Sequence, residues 1–402
     1  MGDLTSFERD LTERAAAEPM LRRTELWAEI NSGSGNLSGL ALMAGTLADC
    51  FSTLPGELRL RDPASVTAVD AAGRELPVAH GQNLHLTVRP NAPVQLLFTG
   101  HMDTVYPADH PFQCVDWKED GVLGGPGVAD MKGGLSVMLA ALTALERAAG
   151  AERIGYEVVI NSDEEVGSPG SAALLAAAAR GKRAALTYEP AALPDGTLAG
   201  ARPGSGNISF AVTGRAAHAG RNPEDGRNAV VAAADLALRL CRLVQDGLSV
   251  NVARLDGGGP NNVVPDRAVL RVNLRPVDAA RQTRAEAGIA AAIADVARDH
   301  EVAIHSHGGF GRPPKPLTSA AEQLFGLVRQ AGADLGQQIG WQPSGGVCDG
   351  NNIAACGVPV VDTMGVRGGK IHSEEEYLIV DSFSERAALS ALTIWRLAAE
   401  AA

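Results

Sequence analysis

Positive charge is in short supply. The 402 residues carry 35 Lys and Arg against 47 Asp and Glu, a net charge of −12, which argues against non-specific binding to nucleic acid or anionic membrane, since both favour basic surfaces. Solubility is the simpler use of that acidity. Paired cysteine motifs are also lacking. Cys50, Cys114, Cys241, Cys348 and Cys356 are odd in number and form no C-x-x-C, which suits a reducing compartment. The first ten residues have neither the basic nor the apolar segment of a signal peptide, and no later apolar run is long enough to span a bilayer. A cytoplasmic protein with no membrane or nucleic-acid partner is expected. Aromatics make up only 4% of the chain, and no internal repeat or low-complexity tract interrupts it. The length is comfortable for two domains.

Residues 7–60 read mainly as helices, with apolar positions at helical spacing around Leu11, Leu21, Leu26, Trp27 and Ile30 and again from Leu40 to Phe51. From Ser65 to Val88 the pattern alternates as in a strand. The apolar run starting at Val94 predicts a buried strand, followed by a helix from about Leu135 to Ala149, a strand Tyr156–Ile160, a helix Ser171–Ala179 and a strand Ala184–Tyr188. That alternation is the mark of an α/β fold, a largely parallel mixed sheet flanked by helices. From Ile208 to Ser306 the order becomes strand, helix, strand, strand, helix, strand, which is able to fold as a small two-layer α+β unit. Arg312-Pro313-Pro314-Lys315-Pro316 reads as a hinge back. Helices at about Ala320–Ala331 and Ser382–Ala399, with the strand Val358–Val361 between them, resume the first pattern. The expected organisation is a domain of residues 1–206 and 315–402 with a second domain, 207–314, inserted.

Chemistry-bearing residues collect at the predicted strand ends. The run from Val94 stops at Thr99-Gly100 and delivers His101-Met102-Asp103, where open α/β sheets bind their ligands. Residues two apart in extended chain point the same way, so the Asp103 carboxylate is expected to accept the second ring N–H of His101, as partners of metal-bound histidines do. His-x-Asp alone is equally a hydrogen-bonded loop histidine. Other ends and loops present Asp130, Glu164-Glu165, Glu189 and His372. A mixed imidazole and carboxylate set suits zinc, or cobalt or manganese, better than magnesium. One bridging carboxylate plus one His and one carboxylate per ion uses His101, Asp130, Glu165, Glu189 and His372. Glu164 is left over. Adjacent residues in extended chain point oppositely, so Glu165 is able to face a metal while Glu164 takes a proton from an attacking water. By itself the acidic pair also reads as a solvated surface turn.

The motifs resemble those of the two-zinc exopeptidases and amidohydrolases that include glutamate carboxypeptidase, aminoacylase and acetylornithine deacetylase, and most of all the glutamate-carboxypeptidase-like members. Six carry the resemblance, in order along nearly the whole chain. They are Gly100-His101-Met102-Asp103-Thr104-Val105, the stretch Gly125 to Gly134 around Asp130-Met131, and Asp163-Glu164-Glu165-Val166-Gly167-Ser168. Glu189-Pro190, Gly214 to Ala229 with His218, and His372-Ser373 followed by Glu375 complete the set. The resemblance implies that Asp130 bridges two zinc ions, with His101 and Glu189 on one and Glu165 and His372 on the other. Glu164 would be the general base and Asp103 the partner orienting His101, and the Asp130-Met131 peptide would be cis.

It further implies that the insertion is a lid and dimerisation domain of a homodimer, with His218 reaching the neighbouring subunit's site to stabilise an oxyanion. Asn262 and Arg275 match lid positions that face substrate. Arg275 is able to clamp a free carboxylate, and Arg312 is a second candidate for that task. Cys348 stands where the family's Gly-rich loop often has a hydroxyl, as a small buried side chain or a further metal ligand. Met131 stands where close relatives are acidic. His80, His85, His110, His300, His305 and His307 match no motif. The function implied is a zinc-dependent hydrolase cleaving an amide next to an amino acid with a free carboxylate, its substrate a small peptide or N-acyl amino acid. The alternatives are a small-acyl deacylase of the acetylornithine or succinyl-diaminopimelate type, and a non-catalytic metal-containing binding protein of the same fold. The intact Glu164 argues against the last.

Overall fold

The computed structural model describes residues 4–399, so Met1 to Asp3 of the N-terminal segment lie outside the described residues. A six-stranded mixed sheet runs in the order Glu57–Arg61, Asn83–Val88, Ile154–Asn161, Val94–His101, Ala184–Thr187, Val360–Val361. The four strands from Ile154–Asn161 onward are parallel, whereas Asn83–Val88 pairs antiparallel with both neighbours. Val94–His101 lies between two parallel partners and is buried along nearly its whole length, which is why it reads as a continuous apolar run and not as an alternating one.

Three expectations are corrected, the third in the inserted sheet described below. Residues 57–60, read as the end of a helical region, belong to the strand Glu57–Arg61, whose burial alternates along Glu57-Leu58-Arg59-Leu60-Arg61. That period of two is a strand signal. The segment Val128–Glu146 is also long and apolar enough to cross a membrane by composition, yet 94% of it is buried inside the protein. The helix Gly134–Glu146 is apolar on every side because it is packed on every side. Gly134 permits that packing, since a Cβ there would stand 2.0 Å from the Tyr188 carbonyl oxygen.

After Ala184–Thr187 the chain leaves this sheet and returns to it only at Val360–Val361. Between them it builds a four-stranded antiparallel sheet, ordered Leu248–Gly257, Arg267–Pro276, Ser205–Thr213, Ala303–Arg312. The helices Ala229–Cys241 and Ala279–His300 cover it, and Phe210, Leu236, Leu240, Leu270, Leu274 and Val296 form part of its own core. The last strand continues past the expected stop at Ser306 to Arg312. Its second half, His307-Gly308-Gly309-Phe310-Gly311, hides the strand because glycines carry no alternation of polarity, and Gly308 holds φ at +89°.

Candidate metal centre

The carboxyl ends of the parallel strands bring the predicted ligands together. His101 ends its strand and is 1% exposed. Its Nε2 lies 3.1 Å from Asp130 Oδ1 and 3.7 Å from Glu189 Oε2. His372 Nε2 lies 3.4 Å from Asp130 Oδ2 and 3.1 Å from Glu165 Oε2. One carboxylate therefore spans two histidines, and each histidine faces one further glutamate. The donor atoms of His101, Asp130 and Glu165, and those of His101, Glu164 and Glu189, lie within 4.8 Å of one another. The Asp130–Met131 peptide is cis, and His372 adopts a φ of +62°.

The expected partner of His101 is different in detail. Its Nδ1–H donates to the Asp103 backbone carbonyl at 2.9 Å, with the Asp103 carboxylate farther off at 3.4 Å. The strand stops at His101, so the extended geometry that would align residues 101 and 103 is lost. The tautomer is still fixed with Nε2 free to ligate. The carboxylate of Asp103 instead accepts the backbone N–H groups of Glu164 and Glu165, both at 3.1 Å, and the Ser34 hydroxyl at 2.7 Å. It anchors the acidic pair.

Other residues that shape the centre carry no motif. Glu376 accepts hydrogen bonds from the backbone N–H groups of Gly127, Ala129 and Asp130 at 3.0–3.1 Å and from the Tyr106 hydroxyl at 3.0 Å. Its neighbour Glu375, which follows the His372-Ser373 motif, is exposed and pairs with Lys370. Behind the cleft, Asp362 follows the strand Val360–Val361 and accepts from Arg202 Nε at 2.8 Å and Lys315 Nζ at 2.7 Å. The rule that finds His101 at a strand end also finds Asp362. Met131 is fully buried, and its Sδ accepts the His101 backbone N–H at 3.3 Å. Cys348 is 3% exposed and its thiol donates to Asp362 at 3.4 Å, which makes it a small buried side chain.

Burial and mutual repulsion dominate the electrostatics. Burial, then the charge of Asp130, pushes Glu165 up to about 7. Burial likewise raises Glu189 to about 8 against the pull of His101. Hydrogen bonds to Asp130 and Glu165 lift His372 to about 11. The donor set itself, two imidazoles and three buried carboxylates, fits divalent cations, which would offset the carboxylate charge in place of the protons that burial otherwise favours. The centre opens on a cleft of about 320 Å³ lined by Asp130, Glu164, Glu165, Glu189, Arg202 and His372 among others.

The remaining predicted residues are not in the ligand cluster. His218 is exposed, and its Nδ1 accepts the backbone N–H groups of Gly220 and Arg221 at 3.1 and 3.2 Å. That leaves the proton on Nε2. Asn262 is exposed in the insertion, its carbonyl accepting the Ala219 N–H. Arg275 donates to the Gly345 carbonyl at 3.0 Å. Arg312, expected to face substrate, is 3% exposed and bound to Glu164 and Asp349 at 2.6 and 2.8 Å. A guanidinium so engaged is not open to a substrate carboxylate in this arrangement.

Comparison with known proteins matches residues 97–396 to the family described as peptidase family M20/M25/M40. Carboxypeptidase G2 of Pseudomonas sp. (strain RS-16) is 29% identical over 397 residues, covering 94% of this chain and 89% of that protein. A succinyl-diaminopimelate desuccinylase of Xanthomonas oryzae pv. oryzae is 30% identical, covering 88% and 94%. Among solved structures, a Staphylococcus aureus tripeptidase superposes with a TM-score of 0.70 at 23% identity, over 96% of this chain and 99% of that one. A Bacillus subtilis protein described as a dinuclear metal binding peptidase gives 0.65 at 15% identity, over 97% and 99%. The chain belongs to peptidase family M20/M25/M40 and is a metal-dependent hydrolase.

Proposed function

We propose that the protein is a cytoplasmic, homodimeric, two-zinc hydrolase that cleaves an amide or peptide bond next to an amino acid with a free carboxylate. The observation that carries this reading is Asp130, whose two oxygens face His101 and His372 separately, the placement a bridging ligand needs. His101 with Glu189, and His372 with Glu165, would complete the two ligand sets. When bound, the ions polarise the scissile carbonyl and acidify an attacking water. Glu164 takes the proton of that water and hands it to the leaving amine. The carbonyl of Asp103 holds the tautomer of His101, and Glu376 holds the turn that presents Asp130. His218 Nε2–H is a donor suited to a developing oxyanion. Similarity to carboxypeptidase G2 over nearly the whole of both chains supports carboxypeptidase-like action on a peptide or N-acyl amino acid first.

A second reading, small-acyl deacylation, is favoured by the similar identity to the desuccinylase. Five cysteines without a disulfide suit the cytoplasm. A hydrolysis screen tests both readings. Protein loaded with zinc, cobalt or manganese is offered N-acyl glutamates, dipeptides and N-succinyl or N-acetyl diamino acids. Preferred turnover of the first two groups is expected; preference for succinyl or acetyl diamino acids would select the second reading.

A further inference from the structure

Arg312 is the final residue of the strand Ala303–Arg312, where the insertion returns toward the six-stranded sheet. Its Nη2 donates to the Glu164 carboxylate at 2.6 Å, to the Glu164 backbone carbonyl at 3.1 Å and to the Ser168 hydroxyl at 3.1 Å. Its Nη1 donates to Asp349 at 2.8 Å and to the Asn352 side-chain oxygen at 3.1 Å. The network has deep anchors. Asp349 also accepts from Asn161 at 2.6 Å, and Asn351 donates to the carbonyls of Pro203 and Pro313 at 2.9 and 2.8 Å. Those two prolines lie where the chain crosses out of and back into the first sheet, beside the backbone pairing of Arg202 with Lys315. A planar guanidinium makes such paired contacts with little loss of freedom.

Two adjacent glutamates pose a choice that their own positions leave open. Glu164 has a carboxylate oxygen within 4.8 Å of donor atoms of His101 and Glu189, so geometry alone lets it join an ion as a ligand. Arg312 competes for that carboxylate and holds the backbone behind it. We propose that Arg312 is a positioning residue that keeps Glu164 out of the ligand set and in the place of the base, so that the hinge of the insertion is built into the active site. The inference rests on the metallohydrolase reading above.

The experiment compares wild type, Arg312→Met and Arg312→Lys in the full-length protein. Steady-state kinetics are measured on the substrate that wild type turns over best, and zinc affinity by competition with a chromophoric chelator. For Arg312→Met, kcat is expected to fall by roughly 100-fold with KM within about threefold of wild type, the pattern of a group acting in the transition state. Zinc is expected to bind at least about threefold more tightly, because a freed Glu164 adds a ligand. Arg312→Lys keeps a buried cation, and should restore wild-type zinc affinity and about a tenth of kcat; it carries the comparison if the Met variant does not fold. A raised KM with kcat retained would overturn the proposal in favour of a substrate clamp. Weaker zinc binding in both variants would overturn it in favour of a purely structural role. A wild type without turnover on any substrate would overturn the metallohydrolase reading and this inference with it, whereas active wild type beside unaffected variants overturns this inference alone.

Discussion

Glu164 and Glu165 share one anchor, Asp103, through adjacent backbone N–H groups, yet their carboxylates meet different partners. Glu165 faces His372 and Glu164 faces Arg312. Glu164→Gln should therefore keep both metals and the fold while turnover falls by two to four orders of magnitude, about 3–5 kcal/mol of barrier. Metal analysis beside the rate decides it, since departure of an ion would make Glu164 a ligand. Glu376 acts one step further out. Its carboxylate gathers three backbone N–H groups around Asp130, so Glu376→Ala should weaken metal affinity by roughly 10- to 100-fold with the ligands themselves intact. A chelator titration that finds wild-type affinity would remove Glu376 from the centre. The two residues also mark what the sequence makes legible. Glu164 stands out because it sits beside a proposed ligand just past a strand end, a placement with a chemical reason. Glu376 announces nothing, because its role is to accept hydrogen bonds from a turn distant in sequence, and only the folded chain brings them together.

At the level of elements, parallel strands declare themselves as apolar runs with polar ends, and so the central strands and the sites they carry are readable. Where glycine replaces alternation, as in the second half of Ala303–Arg312, the signal fades, and where an alternating edge strand is only five residues long, as in Glu57–Arg61, it is lost beside the helical pattern before it. The end of Val360–Val361 bears a buried ion cluster instead of a metal ligand. Burial pushes Asp362 up, but Arg202 and Lys315 outweigh it and hold the carboxyl down at about 2, below its ordinary 3.8. A lowered folded value means that the charged form stabilises the fold. The contribution is complete above about pH 4 and is lost as pH falls from 4 through 2, amounting to about 2–3 kcal/mol. Asp362→Asn leaves two buried cations on a neutral amide and should cost about 3–5 kcal/mol at pH 7. In urea unfolding, the gap between wild type and variant should narrow as pH drops from 4 toward 2. A gap constant over that window would show that the ion cluster is not the source of the difference.

On the scale of the whole molecule, the proposed oxyanion donor and the metal cluster belong to different units. His218 lies in the insertion, exposed and with its proton on Nε2, while the predicted ligands gather at the carboxyl ends of the parallel strands of the six-stranded sheet. If the proposed homodimer completes each site across its interface, His218→Ala and Glu164→Gln should each be nearly inactive alone, one lacking the oxyanion donor and the other the base. In a mixed dimer, the site holding the intact Glu164 belongs to the His218→Ala chain and receives His218 from its partner. Random pairing on co-expression places half of the dimers in that state, each with one working site, so roughly a quarter of wild-type activity should return under symmetric exchange of surfaces. Action of His218 within its own chain leaves both sites of every mixed dimer broken. Tag-selected heterodimers separate the two cases without the background of the parents, because they contain no homodimer of either kind. Heterodimers as inactive as both parents, or a wild-type chain that is fully active as a monomer, would show that the site is closed by its own insertion.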